Sequence, residues 1–586
     1  MADSTQAREP LEGSPTATSN GRPHADESGV ASKTRRSSPL TLWMAIALAV
    51  VAGRIAVIQS SEGDTAFLSA NDRSRWATVI SLVDLGTYEI DDVISIRHPK
   101  HRHRRPLDSI DKVQHLGGDG RRHFYSSKPP LLATIVAAPY WLLSQGLGLT
   151  ILRQPHYVPR LLLGIVNLPL LAMLFVATYR SVTAWIEARR ARHFIAAGIC
   201  LGTMLTPMAV SLGNHLVAAA ATAVAMWVAV HAAQSRNGLG HWVVGGAAAA
   251  FAAANELPAL SMWVGWTLVY LWLDRRSIFG VAIGSLVVAS AFFGTNIIAH
   301  GSLRMPYAHR GDGREILTTK LDPAANIDAM IGQPLDLSHD AAATSLSGTW
   351  TIAASDEADR WKLVQGERWL SMRSIGGGRY RIAEWDDWYE YPGSYWQEGR
   401  RRGVDLGEPS RLRYAWNMLL GTYGVFLITP LWLAGSLGVI ASFTPRKFRD
   451  GLQTALRWRF RFRERANDRN ARKQRIDSVR FVILCFTVAV TVTCVAFYLM
   501  RPQIDRNYGG VSCCFRWLLW LAPMWWSATA IGLQILVRSK PGRWVAVALI
   551  AGSVFSVATA IDNPWRHPWP YRFTEFLGYS LVESAS

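Results

Sequence analysis

Runs of about twenty mostly apolar residues recur from Leu40 almost to Asp562, and they constrain the fold more than any other feature. Lipid offers backbone N–H and C=O groups no partner, so a spanning segment must be a helix or a strand of a closed barrel. The length and unbroken apolarity of these runs predict helices. The expected fold class is an all-α polytopic membrane protein with about eleven transmembrane helices. Apolar segments fall near 40–59, 129–148, 157–178, 193–212, 214–234, 241–255, 257–273, 277–298, 413–442, 478–499, 516–537 and 543–561.

Two polar stretches are too long to be simple connectors. The first loop, 60–128, belongs to a transmembrane core over 40–298. Within it, Asn71 to Gly86 reads as an amphipathic helix ending at glycine, with Ile80, Leu82, Val83 and Leu85 on its apolar side, lying on the membrane surface. The second loop, 299–412, carries Trp-, Tyr- and Gly-rich stretches over 345–395 that predict a small β-rich insertion. A C-terminal membrane region, 413–561, holds a basic loop at 443–477, and a short aromatic tail covers 562–586. Residues 1–39 are rich in Ser, Pro, Gly and charge and are expected to be disordered and cytoplasmic. The first span is read as a signal anchor, because its apolar core sits too far from the start for a cleaved signal peptide.

The net charge is +19, and its placement sets the expected orientation. Arg35 and Arg36, then Arg189, Arg190 and Arg192, then Arg275 and Arg276 flank spans. A dense stretch between Arg446 and Arg475 includes Arg457, Arg459, Arg461, Arg463 and Arg465, and Lys540 and Arg543 sit in a later turn. Placing these inside puts the N-terminus in the cytoplasm, both large loops outside and the C-terminus outside, with anionic lipid as a partner. The scatter of charge among the spans excludes a nucleic-acid footprint. With Trp458, Phe460 and Phe462, the dense stretch fits a basic surface helix or a strand. One inconsistency remains. Lys128 outside and Arg190 inside require an odd number of crossings, yet two apolar segments lie between them. Either one is a re-entrant or surface helix, or one charge is misassigned. The five cysteines form no disulfide framework, and adjacent Cys513 and Cys514 lack metal-site spacing.

Ionisable residues beside spans are costly unless they function or snorkel. Asp72 and Arg75 stand three apart, on one helical face. Asp72 is either a helix N-terminal acid with a local ion pair or a general base for an acceptor hydroxyl. Asp91 and Asp92 follow, then a run from His98 to Arg105 in which Arg104 and Arg105 can meet phosphate or simply be solvated. Tyr125 and Lys128 precede Pro129-Pro130 at the next span, and prolines suit a helix's first turn. Lys128 then lies at the outer boundary, as a snorkelling lysine or beside a lipid-linked phosphate. Asn214-His215, Asn255-Glu256, Asn296, and Asp505 to Gly510 with Arg506, together with Arg516, are further interfacial groups. Singly they read as capped helix ends; together they can line one cavity. No P-loop, zincin or dinucleotide fingerprint is present.

The stretch Asn71–Arg75 with Gly86-Thr87-Tyr88, the element Phe124-Tyr125-Ser126-Ser127-Lys128-Pro129-Pro130, and Arg506-Asn507-Tyr508-Gly509-Gly510 followed by Phe515-Arg516-Trp517 resemble motifs of the GT-C glycosyltransferases. The nearest look-alikes are protein O-mannosyltransferases, aminoarabinose transferases of lipid A and related bacterial enzymes. The resemblance is strongest over 40–300, while the loop 300–412 departs from it. Asp72 stands in Asn-Asp-Arg rather than in the Asp-Glu pair common among the mannosyltransferases. The resemblance implies a GT-C-like bundle in a bacterial inner membrane. It implies a polyprenyl-phosphate sugar donor and a cell-envelope glycan, lipid or protein acceptor. Asp72 would then be the base of an inverting transfer, with Lys128, Arg75 and an arginine among Arg104 and Arg105 receiving the donor phosphate. No cofactor is expected; if a divalent metal were used, Asp91 and Asp92 would be its ligands. A transporter or flippase of lipid-linked saccharides and a non-catalytic scaffold are the alternative readings. The absence of an internal repeat weighs against transport.

Overall fold

The computed structural model describes residues 38–235, 237–321, 326–336, 346, 348–397, 399–460 and 469–579, without the side chains of 457–460 and 469. The expected disordered tail therefore lies outside the described residues up to position 37. So do Arg461, Phe462, Arg463 and Arg465, the side chains of Arg457, Trp458, Arg459 and Phe460, and the end of the chain from 580.

Among the described residues, seven helices are long and apolar enough to cross a membrane: Pro39–Val57, Tyr157–Thr183, Asn214–Ala232, Ser277–His300, Asn470–Leu499, Arg516–Leu536 and Lys540–Ala560. Leu131–Leu147, Leu257–Leu273 and Trp432–Ser442 are shorter and apolar. Two expected spans are broken. The segment 193–212 becomes Arg189–Leu201 and a short turn Leu205–Met208. The segment 413–442 becomes Arg411–Leu419, Val425–Ile428 and Trp432–Ser442, interrupted around Gly421, Gly424 and Pro430. Helices Leu239–Asn255 and Ser277–His300 lie close because their glycines carry no side chain. A Cβ on Gly246 would meet the Val281 carbonyl at 2.5 Å, and one on Gly280 the Trp242 Cβ at 2.5 Å.

The bundle has two ends, fixed by hydrogen bonds between distant segments. At one, Arg160 Nε donates to the Ile58 carbonyl at 2.9 Å and the Ala66 amide donates to Pro155 at 3.2 Å. At the other, the Glu187 amide donates to Gln534 at 3.0 Å and Arg472 donates to Gln234 at 3.3 Å. Because 58 and 155–160 meet at one end, the stretch between them makes no net passage. Leu131–Leu147 packs instead along the first-loop helix Ala70–Ile80 and its continuation Ser81–Leu85, where the Tyr140 hydroxyl donates to Asp84 at 2.8 Å. Of the two apolar segments between Lys128 and Arg190, this is the one that packs along the first-loop helix.

The first-loop helix ends at Gly86, whose φ of 73° favours glycine. It does not present one free polar side, as a surface helix would. From Asn71 to Ile80 every residue but Arg73 is buried. Beside it stands a hairpin, β1 (Lys112–Leu116) and β2 (Arg122–Ser126). The second loop folds into a six-stranded antiparallel sheet of β3 (Asp312–Lys320), β4 (Pro334–Asp336), β5 (Thr349–Ala354), β6 (Arg360–Gln365), β7 (Arg368–Ser374) and β8 (Arg379–Trp385), in the order β3-β8-β7-β6-β5-β4. It begins earlier than the expected 345–395 because β3 closes the sheet against β8. Trp350, Ile352, Leu363, Met372 and Ile382 form its core. The two loops lock together: the Gln114 amide donates to the Trp388 carbonyl at 2.8 Å, and His115 stacks between Tyr125 and Trp388, each centroid 4.1 Å away.

Candidate active site

The hairpin register builds the centre of the site. Lys112 pairs with Ser126, so the residues just outside the ladder, Asp111 and Ser127-Lys128, face one another. The Asp111 carbonyl accepts from the Ser74 hydroxyl at 2.5 Å and from the Ser127 amide at 3.1 Å, and the Asp111 amide donates to Ser109 at 3.0 Å. The Asp111 backbone is thus tied to the first-loop helix and to β2. Its carboxylate meets Lys128 Nζ at 3.2 Å, with side-chain exposures of 12% and 22%.

Around this pair lies a cavity of ≈430 Å³, lined among others by Asn71, Asp111, Lys128, Arg310, Asp405 and Arg516. Behind it runs a buried polar chain. Arg75 donates to Asn71 and, at 2.8 Å, to Asn214. Asn214 donates to Glu256 at 2.7 Å. Arg516 donates to His215 Nε2 at 2.9 Å, so His215 Nδ1 carries the proton donated to Glu256 at 2.5 Å. Arg516 also donates to the Gly509 carbonyl, which the left-handed turn Gly509-Gly510 (φ 91° and 78°) aims at it.

Burial pushes Lys128 below its ordinary value; Asp111 pulls it back up, and Arg75 and Arg516 push it further down. Arg75 is lowered to about 10, chiefly by burial, and remains a cation at neutral pH. Burial raises Asp405, and the charge of Asp111 raises it further. Three cations, Lys128, Arg310 and Arg516, thus line a polar cavity with two carboxylates, Asp111 and Asp405, while Arg75 and Glu256 lie behind its wall. Such a site favours an added anion.

Arg75, Asn214, His215, Glu256, Lys128 and Arg516 are brought together. Asp72 is not part of that group. One carboxylate oxygen accepts from the Ser69 amide at 2.9 Å and the other from the Leu68 amide at 3.1 Å, while Ser69 Oγ accepts from the Asp72 amide. This is a complete capping box, and the residue is 1% exposed. Burial raises Asp72 to about 6 against those same amides. Both of its oxygens hold the helix start, and the residue does not line the cavity. Asn71, one residue earlier, lines the cavity instead.

Arg104 is also elsewhere, paired with Asp64 at 2.7 Å and Glu62 at 3.5 Å, and Arg105 is exposed. Asp91 accepts from the Phe124 amide at 3.1 Å and faces His123, while Asp92 is exposed. Tyr125 stacks on His115 within the seam between the loops. Arg506 donates to the Pro409 carbonyl at 3.0 Å, and Asn296 to Phe292 within its own helix. Among the described residues, no group of three or more His, Cys, Asp or Glu is placed to hold a metal ion. All five cysteines are free.

Asp111, Asp405 and Arg310 were not singled out in the sequence. A signal for Asp111 was present: Lys112–Leu116 and Arg122–Ser126 flank Gly117-Gly118-Asp119-Gly120, a hairpin turn signature. Pairing across that turn sets Asp111 opposite Ser127, next to Lys128.

No family model and no curated protein matches the chain. Among solved structures it is similar to the S. cerevisiae protein O-mannosyltransferase Pmt1-Pmt2 complex bound to the sugar donor. The identity is 12% and the TM-score 0.44, over 94% of this chain and 93% of that one.

Proposed function

We propose that this protein is a multi-pass membrane glycosyltransferase that moves a sugar from a polyprenyl phosphate to an acceptor hydroxyl, with Asp111 as general base. The observation that carries this reading is the Asp111–Lys128 pair, 3.2 Å apart in a cavity that Arg516 also lines and behind which Arg75 is buried. Transfer from a glycosyl phosphate needs a base for the acceptor proton and fixed positive charge where the phosphate departs. A phosphate entering among Lys128, Arg75 and Arg516 competes with Asp111 for Lys128. The carboxylate so released accepts the acceptor hydroxyl's proton. The oxygen then attacks the anomeric carbon, and the phosphate leaves on the opposite face, which inverts the configuration. Arg75 and Arg516 need no metal to do this.

The topology belongs to the same proposal. The chain passes between the bundle's ends eleven times when Arg189–Leu201, Leu239–Asn255, Leu257–Leu273 and the broken segment 411–442 are counted with the seven long helices. Arg189, Arg190, Arg275, Arg276 and Lys540 then share the cytoplasmic end, and the cavity opens outside.

The test is glycosyl transfer by the full-length protein in nanodiscs with polyprenyl-phosphate sugars and a cell-envelope acceptor extract. Asp111→Asn is expected to lose activity while Asp72→Asn keeps it, per folded molecule, within severalfold. Full activity in Asp111→Asn would overturn the assignment.

A further inference from the structure

A second, larger chamber of ≈590 Å³ adjoins the first. The two share three side chains, Arg310, Tyr389 and Trp396. Arg310 lies over the Tyr389 ring at 3.9 Å and near Trp396 at 5.8 Å, so these three form a common wall. Trp396 is anchored by its indole N–H, which donates to the Ile110 carbonyl at 2.8 Å, next to Asp111. The far wall belongs to the β-sheet loop. There Glu390 and Asp387 each lie 3.3 Å from the fully buried Arg360, and Lys362 meets Glu390 at 2.9 Å. These carboxylates are neutralised within the protein and rigidly held. What they offer to the chamber is oriented hydrogen-bond acceptors rather than free negative charge.

We propose that this outer chamber binds a glycan acceptor and presents one of its hydroxyls past Arg310, Tyr389 and Trp396 to Asp111. The proposal rests on the transferase reading and deepens it by naming the acceptor class. A saccharide has apolar C–H faces and a rim of hydroxyl donors. An indole beside fixed carboxylates and the Arg401 guanidinium matches both. The volume lies within the range of small-ligand sites, roughly 300–1,000 Å³. A peptide docking by its side chains would need apolar pockets. The aliphatic side chains on this wall are Leu406 and Ile504.

The test measures binding without donor or turnover, so its failure is separable from failure of the catalytic assignment. Saturation-transfer NMR on the full-length protein in nanodiscs would use a mannan hexasaccharide, a galactan hexasaccharide and a Ser/Thr-rich hexapeptide as probes. The expected result is saturation of one or both oligosaccharides and none of the peptide. Trp396→Ala should weaken binding about tenfold, and Trp396→Tyr should restore most of it. Asp356→Lys, at an exposed chamber residue with no core role, should weaken it as well and guards against misfolding of the Trp396 variant. Binding of the peptide alone, binding of no oligosaccharide, or oligosaccharide binding untouched by Trp396→Ala and Asp356→Lys would each overturn the proposal.

Discussion

Cations gather at both ends of the helical bundle, but they are held differently. At one end Arg189, Arg190, Arg275, Arg276 and Lys540 are exposed to solvent. At the other, Arg75 is buried, Lys128 is largely so, and Arg516 is bound to His215 and Gly509. Each group looks the same in sequence, a basic residue beside an apolar run. Charge that only orients a chain can stay in water, where it costs little. Charge proposed to act on a departing anion is desolvated, and it is tolerated because partners hold it. Burial, not basicity, separates the two.

The largest break in this comparison comes from the buried end. Asp111→Asn should lower transfer by about 10²–10⁴-fold, the usual contribution of a positioned base, with melting temperature changed little. Lys128→Ala should cost about 10²–10³-fold, with Lys128→Arg recovering part of the loss, as read from single-turnover rates on a polyprenyl-phosphate donor. Asp72→Ala should act on stability instead. It leaves the Leu68 and Ser69 amides without their acceptor and should cost about 1 kcal/mol in denaturation, with the rate per folded molecule near wild type.

A smaller effect sharpens the same contrast in the seam between the outer loops. Burial lowers His115 to about 4, below the 6.5 of an unhindered histidine. Between those values the unfolded loop binds more protons than the folded one, so stability is full above 6.5 and falls as pH drops toward 4. Hydrogen exchange at the Gln114 amide, which spans the loops, should accelerate over that window, and His115→Phe should flatten the dependence. The smallest effect is expected at the solvent-exposed end. Arg275→Gln with Arg276→Gln should change the transfer rate less than about twofold, since screened surface charges far from the site contribute little.

Much of the membrane architecture was legible because apolar length is a direct physical requirement. The first-loop helix was legible to its last residue, since Gly86 marks the stop. The lysine before Pro129, Arg75, and the grouping of Asn214, His215, Glu256 and Arg516 were legible too, because polar groups at span ends have few bland explanations. The acid proposed here as the base was not. Asp72 and Asp111 are both carboxylates near a basic residue, and only the capping box tells them apart. That box was written at Ser69 and Asp72 as a helix-start signature. Asp111 becomes visible only once the hairpin is closed, a contact between residues distant along the chain. Arg104 misled for the reverse reason: Asp64 and Glu62, its partners, come from the far side of the same loop.

The hairpin carries one more consequence. It works as a caliper: one jaw is Asp111, the other Lys128, and the ladder between Lys112 and Ser126 sets the gap. Residues added at the tip, Gly117 to Gly120, lengthen the handle and leave the jaws in place. A single residue added along either strand slips the register, and Asp111 then no longer meets Ser127 and Lys128. The separation of acid and lysine along the chain is therefore free to drift, while their parity across the ladder is not.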